Sequence, residues 1–248
     1  MLVEERRREI LAQLERDGRL VGSELVISLG VSEDTVRRDL RDLADQGLLK
    51  RVHGGALAPA ASAPFAQRLE LAFEEKAAIA AAALPLIEAA RVIVFDGGTT
   101  ALALARLLPA SYDGTVVTNS LPIASALAAH PLAEVVLVGG RLLKDAQVVV
   151  GAASVEALRM VRADVCVLGV CSLHPDVGVT TSESDEAEVK RTMVACSGTV
   201  IALATAEKLR SAGPWVVAGL DRVDHLVTDG EESLTRPYAS AGIDVVAV

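Results

Sequence analysis

The segment "VSEDTVRRDLRDLADQGLLKRVHGGAL", residues 31–57, carries three closely spaced arginines and then a Gly-Gly pair. Ser32 is suited to cap a helix that opens with two acids, because a hydroxyl can accept from free N–H groups and acids favour the positive helix end. Apolar residues lie on one side of this helix, at Val36, Leu40, Leu43 and Ala44, and the other side carries Asp34, Arg37, Arg38, Arg41 and Asp45. The segment therefore predicts an amphipathic helix with an arginine-rich outer face.

The flanking residues place this helix in a larger motif. Val3, Ile10, Leu11 and Leu14 are spaced for a first helix of about 14 residues. Ser23 is expected to cap a second, short helix, "ELVISL", which ends at Gly30, a residue that can adopt the left-handed conformation. After the third helix, "LLKRV" and "ALA" predict two strands joined by a turn at Gly54-Gly55. This order is typical of a winged helix-turn-helix.

The arginine face and the wing tip predict a surface for double-stranded operator DNA, because arginine can bind phosphates and guanine edges. The expected DNA-contacting residues are Ser32, Glu33, Asp34, Thr35, Arg37, Arg38, Arg41, Arg51, His53, Gly54 and Gly55. The simpler interpretation is a solvated helix face, and a third is a protein-binding module. A steep loss of binding with added salt would indicate phosphate contacts.

A boundary follows the wing. "APAASAP", residues 58–64, is small, contains two prolines and has no charge. We therefore expect a DNA-binding domain at residues 1–57, a linker at 58–75 and a second domain at 76–248.

The second domain alternates apolar strands with helices. Seven strands are expected, at "RVIVFD", "GTVVTNS", "EVVLVGG", "ADVCVLGV", "TVIALAT", "DHLVTD" and "DVVAV". This alternation predicts an α/β fold with a doubly wound, mainly parallel sheet.

Ligands of such sheets bind at the carboxyl ends of the strands, near a topological switch. The residues at these ends are rich in glycine, hydroxyl and amide groups, namely Asp96, Gly97, Gly98, Thr99, Thr100, Thr118, Asn119, Ser120, Gly139, Gly140 and Arg141. Glycines and a helix start favour an oxyanion. "GGTT" is neither a P-loop nor a dinucleotide fingerprint, so a small phosphorylated metabolite is expected. Lys190 and Lys208 are further candidates, although Lys190 is also spaced for an ordinary ion pair with Glu186.

Composition narrows the class of protein. The chain has 248 residues and a net charge of −9, which argues against nonspecific nucleic-acid binding by the whole molecule. Three cysteines show no metal-ligand spacing, so we expect no metal, no cofactor and free thiols in a reducing cytoplasm. The longest apolar run is too short to span a membrane, and no signal-peptide core is present at the start.

Both halves of the sequence resemble the DeoR family of transcriptional regulators. The N-terminal half matches its VS-x-x-T-[IV]-RRDL and G-x-L-x-R-x-HGGA stretches, and the C-terminal half matches its sensor at "FDGGTT", "VVTNS", "VVLVGGRL", "DVGVTTSESDEAEVKRTM" and "LDRVDHLVTD". The resemblance implies a sensor similar in fold to ribose-5-phosphate isomerase, and a repressor of sugar catabolism that a sugar phosphate releases from DNA. It also implies that the strand-end residues bind the effector, together with Glu186, Lys190 and Lys208. One departure is "TAEK", where Thr205 replaces the usual acid and Lys208 is retained.

The alternative is a sugar-phosphate isomerase with an attached DNA-binding domain, for which Glu183, Asp185 and Glu186 offer candidate bases. An acid-rich helix start explains the same residues without catalysis, and fold similarity does not carry activity. We therefore expect no catalytic residue. Reading two spaced half-sites requires at least a dimer, so a homo-oligomer, dimer or tetramer, is expected.

Overall fold

The computed structural model describes residues 2–17, 19–46, 48–52, 54–57 and 63–248. The N-terminal part contains three helices and three short strands in these ranges: α1 (Val3–Asp17), β1 (Arg19–Val21), α2 (Gly22–Leu29), α3 (Glu33–Asp45), β2 (Lys50–Val52) and β3 (Gly55–Leu57). This is the predicted winged helix-turn-helix, with β1 as an additional strand that pairs with β3.

The helix boundaries confirm one predicted cap and correct another. The Ser32 side chain accepts from the Thr35 N–H at 3.3 Å, and Gly30 ends α2 in the left-handed conformation, at φ 64°. Ser23 does not cap α2. That helix begins at Gly22, two residues before the predicted start at Glu24, because β1 runs directly into it, and Ser23 is an exposed residue of its first turn.

The wing glycines are fixed by two different constraints. Gly54 has φ 83°, which L side chains rarely adopt. Gly55 lies where β1 and β3 approach, and a Cβ there would be 1.8 Å from the Leu20 carbonyl oxygen. The two glycines therefore serve the turn and the strand pairing.

Asp39 joins α3 to α1. It lies on the apolar side of α3 and is buried, and its carboxylate accepts from Arg6 Nε at 2.5 Å and from Arg7 Nε at 3.4 Å. A carboxylate buried in this way needs such partners, because an unpaired buried charge is costly.

The C-terminal part contains seven helices and twelve strands within the residues that the structure describes. Their ranges are α4 (Phe65–Glu70), α5 (Phe73–Ala83), β4 (Val92–Phe95), α6 (Thr99–Arg106), β5 (Thr115–Thr118), α7 (Leu121–Leu127), β6 (Glu134–Leu137), β7 (Arg141–Leu143), β8 (Val148–Val150), α8 (Ala152–Arg159), β9 (Ala163–Gly169), β10 (Ser172–His174), β11 (Gly178–Thr181), α9 (Ser184–Ala195), β12 (Ser197–Leu203), β13 (Trp215–Ala218), β14 (His225–Thr228), α10 (Glu232–Ser240) and β15 (Asp244–Ala247). Short 3₁₀ helices lie at Leu84–Leu86, Ala206–Lys208 and Leu220–Arg222.

The predicted parallel sheet is confirmed. Its seven strands are in the order β6-β5-β4-β9-β12-β14-β15, and all neighbours are parallel. Alternating side chains face opposite layers: Ile93 and Phe95 pack with α5, α6 and α7, and Val94 packs with α8, α9 and α10. The chain order reverses between β4 and β9, which makes this pair the topological switch.

Two smaller strand groups lie outside the main sheet. Strands β10, β11 and β13 form an antiparallel sheet, and β7 and β8 form a hairpin. The tip of the β10–β11 hairpin reaches the N-terminal part, where His174 Nε2 lies 2.8 Å from the Asp17 carbonyl oxygen.

The predicted linker at 58–75 contains α4 and the first turn of α5. Phe65 packs in the core beneath the main sheet, and its N–H donates to the Asp145 carbonyl at 2.7 Å. The domain limits otherwise stay a prediction. None of the helices in the described ranges is both long and apolar enough for a membrane span.

Candidate functional site

A cavity of about 330 Å³ lies at the carboxyl ends of β4, β9 and β12, at the topological switch. Four segments from distant parts of the chain form most of its wall, namely residues 97–101, 143–146 and 169–171, and Ser182, Glu183 and Glu186. Such a crevice is where open parallel sheets bind ligands.

The first turn of α6 forms one side of the cavity. Gly98 precedes the helix with φ 125°, and a Cβ added there would have open space around it. Thr99 and Thr100 follow, and the buried Thr100 hydroxyl has no partner within the described residues. Free N–H groups and the helix dipole make this turn suited to an anion.

Beneath this turn lies a buried ion-pair group. Lys190 of α9 donates to the Asp96 carboxylate and to the Gly169 carbonyl at 2.8 Å, and it lies 3.3 Å from Glu186 Oε1. Burial opposes the lysine charge, but the carboxylates of Asp96 and Glu186 outweigh it and raise the pKa of Lys190. The lysine therefore stays protonated, with its charge already balanced.

The two carboxylates of this group, Asp96 and Glu186, differ in their exposure to the cavity and in their hydrogen-bond partners. Glu186 lines the cavity and accepts from the Thr181 hydroxyl at 2.9 Å. Asp96 is fully buried; its Oδ2 accepts from the Gly169 N–H at 3.0 Å, and its Oδ1 has no partner among the described atoms. Burial raises the pKa of Asp96, and the ammonium of Lys190 opposes this effect.

Three further cations line the cavity. Lys208 comes from the 3₁₀ helix after β12, as its position in the sequence predicts, whereas Arg68 and Lys144 were not foreseen. Arg68 belongs to α4, in the predicted linker, and Lys144 to the β7–β8 turn. The sequence predicted a linker at this position, and no local pattern showed that a helix here packs over this end of the sheet.

The loop after β5 is near the cavity without lining it. Thr118, Asn119 and Ser120 are fully buried. The Thr118 hydroxyl donates to the Phe95 carbonyl at 2.7 Å, the Asn119 amide donates to the Val149 carbonyl at 3.2 Å, and Ser120 caps α7. These bonds give the three residues structural roles, and their predicted part in effector binding stays a prediction.

The loop after β6 also lies outside the cavity wall. Gly139 and Gly140 are exposed, and Arg141 forms an exposed ion pair with Asp185 at 2.5 Å. This pair joins the β7–β8 hairpin to the start of α9. The predicted effector contacts of these three residues likewise stay untested.

Most of the predicted DNA-contacting residues are exposed in the N-terminal part. Arg37, Arg38, Arg41 and Arg51 are exposed, and so are Ser32, Glu33, Asp34 and Gly54. Arg37 is paired with Glu33 at 2.8 Å, but no carboxylate of the described residues pairs with Arg38 or Arg41. Thr35 is half-buried, Gly55 is buried within the wing, and His53 lies outside the described residues.

Among the described residues, neither the cysteines nor the potential metal ligands form a second site. Cys171 lines the cavity, but burial raises the pKa of its thiol, which disfavours the reactive thiolate. In the described ranges, no three side chains of His, Cys, Asp or Glu lie together as metal ligands.

Comparison with known proteins identifies both parts of the chain. Residues 6–61 match the DeoR-like helix-turn-helix domain, and residues 72–230 match the DeoR C-terminal sensor domain. The transcriptional regulator GlpR of Haloferax volcanii is 36% identical and is aligned over 99% of this chain and 98% of its own length. The transcriptional repressor GlcR of Bacillus subtilis is 34% identical, over 92% and 89%.

A solved D-ribose-5-phosphate isomerase in complex with phospho-erythronic acid is 20% identical, with a TM-score of 0.39 over 55% of this chain and 53% of the enzyme. The two matched domains together span most of the sequence, and the two regulators align along nearly all of it. The chain therefore belongs to the DeoR family of transcriptional regulators.

Proposed function

We propose that this protein represses a carbohydrate-metabolism operon in the cytoplasm by binding operator DNA, and that a phosphorylated sugar in the sensor cavity controls this binding. The cavity at the topological switch carries the proposal, because a helix start and several cations converge there on a space of metabolite size. Arg38 and Arg41 support the DNA-binding part, because both are exposed on α3 and neither pairs with a carboxylate of the described residues.

An operator with two half-sites implies that two or more copies act together. Effector binding must then favour one arrangement of the paired winged domains over another. The β10–β11 hairpin follows Cys171 in the cavity wall and contacts the end of α1 at Asp17, which supports such control.

Regulation fits the cavity better than isomerase chemistry. Glu186, the carboxylate of the buried ion-pair group that lines the cavity, is held by both Thr181 and Lys190, whereas a general base needs a carboxylate free to take a proton. We therefore propose that the ligand is bound and released without being chemically changed. Ribose 5-phosphate recovered as a different sugar would contradict this.

The test is fluorescence anisotropy with labelled DNA from upstream of the gene itself, titrated with sugar phosphates and with the same sugars unphosphorylated. A phosphorylated sugar should change operator affinity, and its neutral counterpart should not. The affinity should fall steeply with added salt, because phosphate contacts release counterions. Absence of DNA binding, or a salt-independent interaction, would contradict the proposal.

Arg38→Ala tests the DNA-binding face. We expect operator affinity to weaken by about 1–3 kcal/mol, since one contact to phosphate or base is lost. The control is Arg106→Ala, which removes an exposed arginine at the end of α6, far from α3 in the sequence and outside the cavity wall. Unchanged melting temperatures would show that both variants fold, and equal operator affinity of the two would contradict the assigned face.

A further inference from the structure

Arg68 is placed to touch a ligand, although it belongs to the segment between the two parts of the chain. Its side chain lines the cavity, and its Nε is buried without a hydrogen-bond partner in the described residues. The guanidinium lies 5.7 Å from the ring centroid of Phe65, which anchors α4 in the core. Arg68 is therefore held in place through α4, and its guanidinium is available to bind a ligand.

Lys208, in the 3₁₀ helix after β12, lines the same cavity. Its ammonium forms no ion pair with any carboxylate that the structure describes. The neighbouring Glu207 accepts a hydrogen bond from the Thr205 hydroxyl at 3.2 Å. Thr205 is the residue that replaces the acid usual in the family. Burial lowers the pKa of Lys208, and the guanidinium of Arg68 contributes to the same direction.

The other two lysines near this point are already satisfied. Lys76 donates to the carbonyls of Arg68 and Leu71, and so closes the end of α4. Lys190 is balanced by Asp96 and Glu186. Among the described residues that line the cavity, Arg68 and Lys208 therefore have no counter-ion, and the third such cation, Lys144, is exposed to solvent.

We propose that Arg68 and Lys208 together bind the anionic group of the effector, between α4 and the 3₁₀ helix after β12. This rests on the proposed function and names the residues that recognise the ligand class. A phosphate monoester, with a charge of about −1.5 to −2 at pH 7, would neutralise both cations. Arginine can hold two of its oxygens at once, and the first turn of α6 supplies N–H donors nearby.

This assignment orients the remainder of the ligand. The cavity is also lined by Ser182, Glu183 and Glu186, at and before the start of α9, whose oxygen atoms suit sugar hydroxyl groups and repel a second anion. We therefore infer a monophosphorylated sugar or polyol with its phosphate at Arg68 and its hydroxyl groups towards α9.

The position of Arg68 also connects binding to the DNA-binding part. Helix α4 begins at Phe65, eight residues after the end of β3 at Leu57. An anion that joins Arg68 to Lys208 holds α4 against the sheet. Ligand binding thereby restrains the segment that leads to the wing.

The test uses the full-length chain and inorganic phosphate, at constant ionic strength, with affinity measured by calorimetry and by the rise in melting temperature. Wild type and the control Arg106→Gln should bind phosphate equally. Arg68→Gln and Lys208→Gln should each lose at least tenfold in affinity, and Arg68→Lys should lose less than Arg68→Gln because it keeps the charge.

Two outcomes would overturn the inference: phosphate affinity in Arg68→Gln and Lys208→Gln equal to that of Arg106→Gln, or no binding by wild type. If Arg68→Gln does not fold, a loss in Arg68→Lys relative to the control decides the case. The anisotropy titration of wild type with sugar phosphates tests the proposed function separately. If a sugar phosphate releases wild type and Arg68→Gln from DNA equally well, the role assigned to Arg68 is wrong and the proposed function stands.

Discussion

At the scale of single residues, Lys190 is the side chain on which the floor of the cavity depends. It is almost completely buried, and its partners come from two other segments, Asp96 after β4 and Gly169 at the end of β9. A buried ion pair of this kind adds little net stability when complete, but breaking it leaves an uncompensated charge. Lys190 thus holds the two sides of the topological switch together.

Lys190→Met should lower the free energy of unfolding by about 3–5 kcal/mol, because the carboxylates of Asp96 and Glu186 remain buried without their cation. Urea denaturation measures this. Lys144→Met is the control, since Lys144 is an exposed lysine of the same cavity and should change stability by about 0.5 kcal/mol or less. The idea fails if the two variants are equally stable.

At the scale of elements, apolar runs bounded by turn residues were sufficient to predict all seven strands of the main sheet. Parallel strands buried on both faces read as continuous apolar segments, so their own residues carry the signal. The short strands β1, β7, β8, β10, β11 and β13 were not predicted. Each has three or four residues, and its pairing depends on a neighbour brought close by the rest of the fold.

The sequence predicted the location of the cavity better than it predicted the residues that line it. The rule for open sheets located it at the strand ends, and the residues after β4 line it. Arg68 was missed because its contact with this end of the sheet arises from the packing of α4. Asp39 carried a usable signal, since it is an acid at a helical spacing that places it between Val36 and Leu43 on the apolar side.

Helix α3 offers a matched test of capping. Ser32→Ala should lower the stability of the N-terminal part by about 1 kcal/mol, because the Thr35 N–H loses its acceptor. Ser23→Ala should be nearly neutral, because Ser23 caps nothing in α2. Thermal denaturation of the two variants, followed by circular dichroism, compares them, and a larger effect at Ser23 would contradict the observed start of α2.

At the scale of the whole molecule, the β10–β11 hairpin spans from the cavity to the DNA-binding part. It follows Cys171 in the cavity wall and ends at Thr181, which bonds Glu186. At its tip, the Asp176 N–H donates to His174 Nδ1 at 3.1 Å, so Nε2–H is the donor to the Asp17 carbonyl. One hydrogen-bonded histidine thus touches the end of α1.

His174→Ala should weaken the communication between the two sites. We expect the ratio of operator affinities without and with an active sugar phosphate to fall by up to about fivefold, because a hydrogen bond is worth about 1 kcal/mol. Anisotropy titrations with and without effector measure this ratio. His225→Ala, at the start of β14 in the main sheet, is the control, and an unchanged ratio in both variants would contradict a role for the hairpin.

The ion pair of Asp96 and Lys190 joins residues that are 94 positions apart. Contacts of such long range form late, because the intervening chain must first be ordered. During synthesis the winged domain emerges first, and the lysine that completes the sensor follows much later. A chain arrested between these points would hold a complete winged domain beside a sensor cavity that still lacks its buried cation.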